Sequence, residues 1–144
     1  MSERQKNSGF TLIEAVVTLV LIGTMVAVAV PRFAGADSRL NTEADILRSH
    51  LRYAQAMSMA NNVATWSVTI VANSYSLLRD GSPASLPGET ANTHTFSGGV
   101  TATPTTLTLD SLGSPGASDR PITLNDNAGH SVVITMLGDT GFIQ

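Results

Sequence analysis

The run from Phe10 to Val30 holds 21 residues and one charge, Glu14. Coiled as an α-helix it rises about 31 Å at ~1.5 Å per residue, and the hydrocarbon core of a bilayer is about 30 Å thick. A single membrane span is the direct expectation. Thr11, Thr18, Gly23 and Thr24 temper the apolar character without ending the helix, because threonine hydroxyls bond back to carbonyls in the preceding turn. The flanks do not orient the span: Arg4 and Lys6 precede it, Arg32 and Arg39 follow, a tie on the count that sets topology. Pro31 closes the run. Proline inside a helix removes a ladder hydrogen bond and clashes with the turn before it, so a kink or local break is expected there.

Glu14 is the anomaly. A carboxylate at mid-span costs roughly 2.5–3.5 kcal/mol on insertion scales, less near an end, which suggests a partner. The local alternative is a capping box. In Thr11-x-x-Glu14 the acid at the third helical position bonds back to the Thr11 amide and suits the positive end of the helix dipole. The residues by themselves leave both readings standing.

After Pro31 the helical pattern resumes. Leu40, Ala44, Leu47, Leu51 and Ala54 form an apolar stripe, with Arg39, Glu43, Asp45, Arg48 and Arg52 mostly off it. Thr42 and Asp45 are candidate caps for a restart. If both halves are helical, residues 10 to 61 extend roughly 78 Å, so the first half should project from the second. The period then changes to two. Trp66, Val68 and Ile70 alternate with Thr65, Ser67 and Thr69, and "SYSLLR" continues to a turn at Asp80-Gly81-Ser82-Pro83. Residues 81–99, rich in Gly, Pro, Ser and Thr, read as a surface loop with a hidden edge strand near "HTFSGGV". Leu107 with Leu109, and Ile122 with Leu124, mark short strands. Asp126-Asn127-Ala128-Gly129 turns the chain into "SVVITM", where Val132, Ile134 and Met136 share a face, and Gly138 to Gly141 turn again before Phe142 and Ile143. The fold class is α+β: a long N-terminal helix, transmembrane half plus amphipathic half, the latter packed through its stripe on one face of an antiparallel β-sheet head.

Little in this head suggests chemistry. There is no cysteine, which removes disulfides, thiolate metal sites and thiol catalysis. His50, His94 and His130 lie in three separate segments with no ligand spacing, and read as ordinary surface or partly buried histidines. Asp119, Asp126 and Asp139 could meet as a cation site, but beside Gly, Asn and Thr they read as turn formers. No nucleophile elbow, phosphate loop or zinc motif is present. No catalytic, cofactor or metal site is expected. From Tyr53 onward two basic residues face six acidic ones, a balance that argues against nucleic acid.

The stretch "GFTLIEAVVTLVLIGTMVAVAVPRF" resembles the class III signal and N-terminal helix of type IV pilins and type II secretion pseudopilins. A short polar leader ends in Gly9, Phe10 follows, Glu14 is fifth from Phe10, and Pro31 stands where the apolar span ends. The resemblance implies that a prepilin peptidase cleaves between Gly9 and Phe10 and N-methylates Phe10. It implies that the Glu14 carboxylate neutralises that terminal amine, its own or a neighbour's, as helices bundle. An α-amino group of pKa ~8 is largely protonated near neutral pH, and paired opposite charges share one desolvation cost. The segment "DILRSHLRYAQAMSMANNVATWSVTI" and the closing "GHSVVITMLGDTGFIQ" look similar to the H-type minor pseudopilin and FimT-like group. The absence of a cysteine pair and of an acidic calcium loop favours a minor subunit.

The implied organisation is a cleaved leader, 1–9; a transmembrane and filament-core helix, 10–31; and a periplasmic head, 32–144, helical to about 62 and then β-rich. The implied function is a structural minor subunit of a type II secretion pseudopilus, anchored in the bacterial inner membrane before it joins other pseudopilins or pilins in a periplasmic filament. The alternative is a minor pilin of a type IV pilus, acting in assembly, adhesion or DNA uptake. A secreted protein with an ordinary signal peptide is a third reading, since Ala34-Gly35-Ala36 fits a signal-peptidase site. Against it, the apolar run exceeds the ~7–15 residues of such a peptide and carries Glu14.

Overall fold

The structure, a computed structural model, describes residues 11–34, 36–60 and 63–144, and among these the side chains outside 26–38. The chain divides into two compact units, Met1–Gly35 and Ala36–Gln144. Gly9 and Phe10 lie outside the described residues.

The first unit contains helix α1, Leu12–Ala34. Its start is set by Thr11, whose Oγ1 accepts the Glu14 N–H at 3.3 Å, the N-cap half of the expected box. Thr18 and Thr24 donate their hydroxyls to Ala15 O and Leu21 O, each at 2.9 Å. Both polar side chains are therefore satisfied within the helix. Pro31, where a kink or local break is expected, lies inside it, and α1 continues to Ala34. Among the described residues no helix is long and apolar enough to cross a membrane. The anticipated span reaches beyond them, to Phe10 at one end and to undescribed side chains after Met25 at the other.

The second unit opens with α2, Ala36–Ala60. There is no restart at Thr42 or Asp45; Asp45 instead accepts from Arg48 Nη1 at 2.8 Å on the exposed side. Leu40, Ala44, Leu47, Leu51 and Ala54 are all buried, as their spacing predicts. The β region follows as β1 Trp66–Val71, β2 Ser74–Arg79, β3 Ser82–Ala84, β4 Thr93–Thr95, β5 Thr101–Ala102, β6 Thr105–Leu109, β7 Arg120–Asn125 and β8 Ser131–Met136. It forms two antiparallel sheets. One runs β3-β2-β1-β6 with β4 also on β2, and the other runs β5-β7-β8. The stripe of α2 packs on both, touching β1 and β6 of the first and β7 and β8 of the second, where the sequence suggested a single sheet face.

Registers follow from burial. Trp66, Val68 and Ile70 turn inward opposite inward Leu77 and Tyr75 of β2 and Leu107 and Leu109 of β6. A register slip of one residue would expose this whole set. β2 and β3 are joined by Asp80 and Gly81, both with positive φ (50° and 77°), the twist a two-residue hairpin requires. The 81–99 segment is not one loop: β3 takes 82–84 and β4 takes 93–95, dividing the outer edge of β2 between them. Pro83 sits on that edge strand, where a missing N–H is tolerated. Ile143 bridges to Met136, and Thr135 exchanges both backbone hydrogen bonds with Gln144 at 3.0 Å.

Loops after β6 and β8 are pinned to α2 by two side chains. Ser58 Oγ donates to Asp110 O at 2.7 Å. Gln55 Nε2 donates to Gly113 O at 3.2 Å and Gly141 O at 3.0 Å.

Candidate functional site

In α1 the described side chains from Thr11 to Met25 are exposed on every side of the helix. Leu12 is 84 % exposed and Met25 72 %. A helix apolar all round is stable when lipid or protein covers it on all sides, so this segment requires an environment other than water. Glu14 stands in the first turn, exposed. Its carboxylate is therefore available to a partner, while its amide already caps on Thr11.

The polar centre of the head was not anticipated. Glu43 is only 3 % exposed; it lies on the buried stripe, not off it. The spacing explains this, since Glu43 is three residues after Leu40 and four before Leu47, positions that share a helix face. His50 repeats the pattern one heptad later and is buried too. A buried carboxylate must be fully hydrogen-bonded to be tolerated. Glu43 Oε1 accepts the Ser97 N–H at 3.0 Å and the Ser97 Oγ–H at 2.5 Å, and Oε2 faces His94 Nε2 at 2.8 Å. The other nitrogen of His94, Nδ1, faces Glu89 Oε1 at 2.5 Å. His50 completes the group: its Nε2 donates to Pro87 O at 2.9 Å, which can only accept, and its Nδ1 meets Tyr75 Oη at 2.6 Å. Tyr75 packs on His94 and Phe96 with ring centroids 5.0 and 5.4 Å apart.

The electrostatics follow from these contacts. Burial raises the Glu43 pKa, but hydrogen bonds from Ser97 and His94 outweigh it and hold the carboxyl below its ordinary value. Burial pulls the His94 pKa down, but hydrogen bonds to Glu89 and Glu43 and their charges outweigh it and raise it. The Tyr75 hydroxyl is pushed far up by burial and then by the charges of Glu43 and Glu89. The group joins α2, β2 and the 86–97 segment.

This arrangement does not resemble a catalytic relay. Ser97 Oγ–H is committed to a carboxylate and not to an imidazole, and both nitrogens of His94 are occupied by acids. A base able to activate a hydroxyl needs a free nitrogen within reach of it. The group stabilises charge and holds chain segments together. Two of the three separated histidines do come together, with His50 and His94 centroids 6.0 Å apart. His130 stays in the β7–β8 turn with Asp126, Nδ1 to Oδ2 2.8 Å.

The three aspartates do not converge. Asp126 caps the β7–β8 turn through the Ala128 and His130 amides. Asp119, at the far end of that hairpin, accepts the Gly138 N–H at 2.8 Å. No group of three acids or histidines suited to a metal ion occurs among the described residues.

Residues 4–30 match the model for the prokaryotic N-terminal methylation motif, a stretch that spans Gly9, Phe10 and Glu14. No curated protein matches the chain. Among solved structures, the fold is similar to that of the type IV minor pilin FimU of Pseudomonas aeruginosa strain PAO1. The TM-score is 0.57 and the identity 22 %, over 75 % of this chain and 88 % of that one. The chain thus carries a prokaryotic N-terminal methylation motif and has a fold, N-terminal helix and antiparallel β head, similar to that of a type IV minor pilin.

Proposed function

We propose that the protein is a non-enzymatic minor subunit of a type IV pilin-like filament, held in the inner membrane by its N-terminal helix until it is drawn into that filament. The observation that carries this is α1: apolar and exposed on every described side, with one acid in its first turn. Lipid covers such a surface before assembly, and the helices of neighbouring subunits cover it afterwards. Cleavage between Gly9 and Phe10 creates an amine four residues ahead of Glu14, and N-methylation of Phe10 leaves that amine able to carry a positive charge. Glu14 then pairs with it, its own or a neighbour's, inside the bundle. The partners are a prepilin peptidase and the other pilins or pseudopilins of the filament, with the head in the periplasm.

Two placements have specific support. The sequence likeness to the H-type group favours a type II secretion pseudopilus, and the fold likeness to a type IV minor pilin favours a pilus. Deleting the gene and scoring both exoprotein export and surface piliation separates them. Loss of export alone supports the pseudopilus, loss of pili alone the pilus, and loss of neither refutes a role in either filament.

A further inference from the structure

Residues 86 to 97 lie across α2 and β2 as a strap. Leu86 and Phe96 anchor it in the core, β4 adds a three-residue pairing to β2, and Phe96 N–H donates to Asn73 O at 2.9 Å. Its polar attachments to α2 are the Pro87 carbonyl, which accepts from His50, the Ser97 amide and hydroxyl on Glu43, and the His94–Glu43 ion pair; the His94–Glu89 pair closes the strap on itself. We propose that the 87–92 turn of this strap is a proton-operated latch, closed while His94 carries two ring protons between Glu43 and Glu89, and released to uncover the His50–Tyr75 pair when His94 loses one.

The argument is a proton count. Both partners of His94 are carboxylate oxygens, at 2.8 and 2.5 Å, and carboxylates only accept. Two hydrogen bonds therefore need two ring protons. A neutral ring has one, so one nitrogen must present its lone pair to a carboxylate oxygen at contact distance, and the three groups together go from one net negative charge to two. Glu43 cannot turn away, because its other oxygen holds both donors of Ser97. Glu89, partly exposed, can swing into water and carry the 87–92 turn with it, drawing Pro87 O away from His50, while Ser97 and β4 stay in place.

The other groups facing His94 do not supply the missing proton. From α2, His50 commits Nε2–H to Pro87 O and Nδ1 to Tyr75, and Arg39 lies against Gly98 beyond Ser97. From β2, the Tyr75 hydroxyl is held in its protonated form by burial and by the two acids. From the β7–β8 turn, the uncharged Asn127 side chain lies against Gly99. Release need not unfold the head, since the β1–β2 and β7–β8 hairpins pair without the strap, and segments held by few contacts open below the global unfolding free energy.

The test is hydrogen exchange by mass spectrometry on the full chain in detergent micelles at pH 6 and pH 9, corrected for intrinsic rates. The amides of that turn, with the Glu89 N–H on Leu86 O first among them, should lose protection roughly tenfold at pH 9, the size of one charge-assisted hydrogen bond, with β1, β7 and β8 unchanged. In Glu89→Gln the carboxamide can donate to the bare Nδ1 of a neutral His94 while Nε2–H still serves Glu43, so the strap should stay closed at both pH values. Imidazole NMR supplies a measurement independent of that variant's folding: strap release should follow the His94 titration, not that of His50. Equal protection of the wild-type strap at both pH values, release in Glu89→Gln with the wild-type midpoint, or release tracking His50 would each overturn the proposal.

Discussion

Replacing Glu43 with Ala should destabilise the head by about 3–5 kcal/mol, the range for removing one partner of a buried ion pair. The structure shows why the effect is large. The carboxylate is 3 % exposed and accepts from the Ser97 amide, the Ser97 hydroxyl and His94. Its loss strands two donors of Ser97 and leaves the His94 imidazolium with Glu89 alone. The chain's single tryptophan, Trp66, is 4 % exposed and packed between sheet and helix, so its fluorescence reports unfolding of the head selectively. With a urea m-value of ~1.5 kcal/mol per molar, the midpoint should fall by roughly 2–3 M in the full chain held in micelles. The double variant Glu43→Leu with His94→Leu should recover part of that loss, because removing both charges avoids a lone buried one. A single-variant loss below ~1 kcal/mol, the range of exposed ion pairs, would refute the reasoning. So would a double variant that is less stable than the single variants added together.

Other outcomes follow from the same geometry. Because the Glu43 pKa is lowered from its ordinary 4.5, its contribution is present above that pH and is lost as pH falls through the native value. Because that of His94 is raised from its ordinary 6.5, its contribution is full below that pH and is lost as pH rises through the native value. Urea midpoints should therefore be highest between those two pH values and decline on both sides, while a maximum above pH 8 would contradict the assignment. Gly141→Ala drives a Cβ into Gly113 O and the Gln55 amide at a φ of +67° and should cost ~2–4 kcal/mol. Gly81→Ala meets no atom within 4 Å and should cost only the ~1 kcal/mol of left-handed strain; equal losses would show that packing at Gly141 is irrelevant. Glu14→Ala should leave a mature N-terminus at Phe10 by mass spectrometry while reducing recovery of the subunit in sheared filaments. A mature N-terminus at Asp37 would instead show ordinary signal-peptidase processing.

Much of the head was legible because its apolar residues follow simple periods. Leu40 to Ala54 at helical spacing and Trp66, Val68, Ile70 at strand spacing are buried as those periods demand, since period decides which side chains share a face. The division into two sheets was not legible. Hairpin signals such as Asp126 to Gly129 specify a local partner, while the choice between one sheet and two depends on the non-local pairing of β1 with β6. The polar group was missed for a different reason. By residue type Glu43 groups with the charges mostly off the stripe and His50 with ordinary surface or partly buried histidines, although each lies three residues after a stripe leucine. Periodicity placed them inside; their partners Glu89, His94 and Ser97 come from a segment with no periodicity to read. At Pro31 the local rule describes a cost to the helix and not a prohibition, and α1 runs on to Ala34.

Gln55 carries a last consequence. Its Nε2 has two hydrogens, and the structure spends one on Gly113 O and the other on Gly141 O. Glutamate matches glutamine in shape almost atom for atom, yet here it would aim an oxygen at two carbonyl oxygens. At this position the nearest isostere is among the poorest replacements, and a smaller alanine would be the gentler change. Deamidation of that one side chain would convert the clasp joining two loops to α2 into a wedge, a large consequence for a change of one dalton.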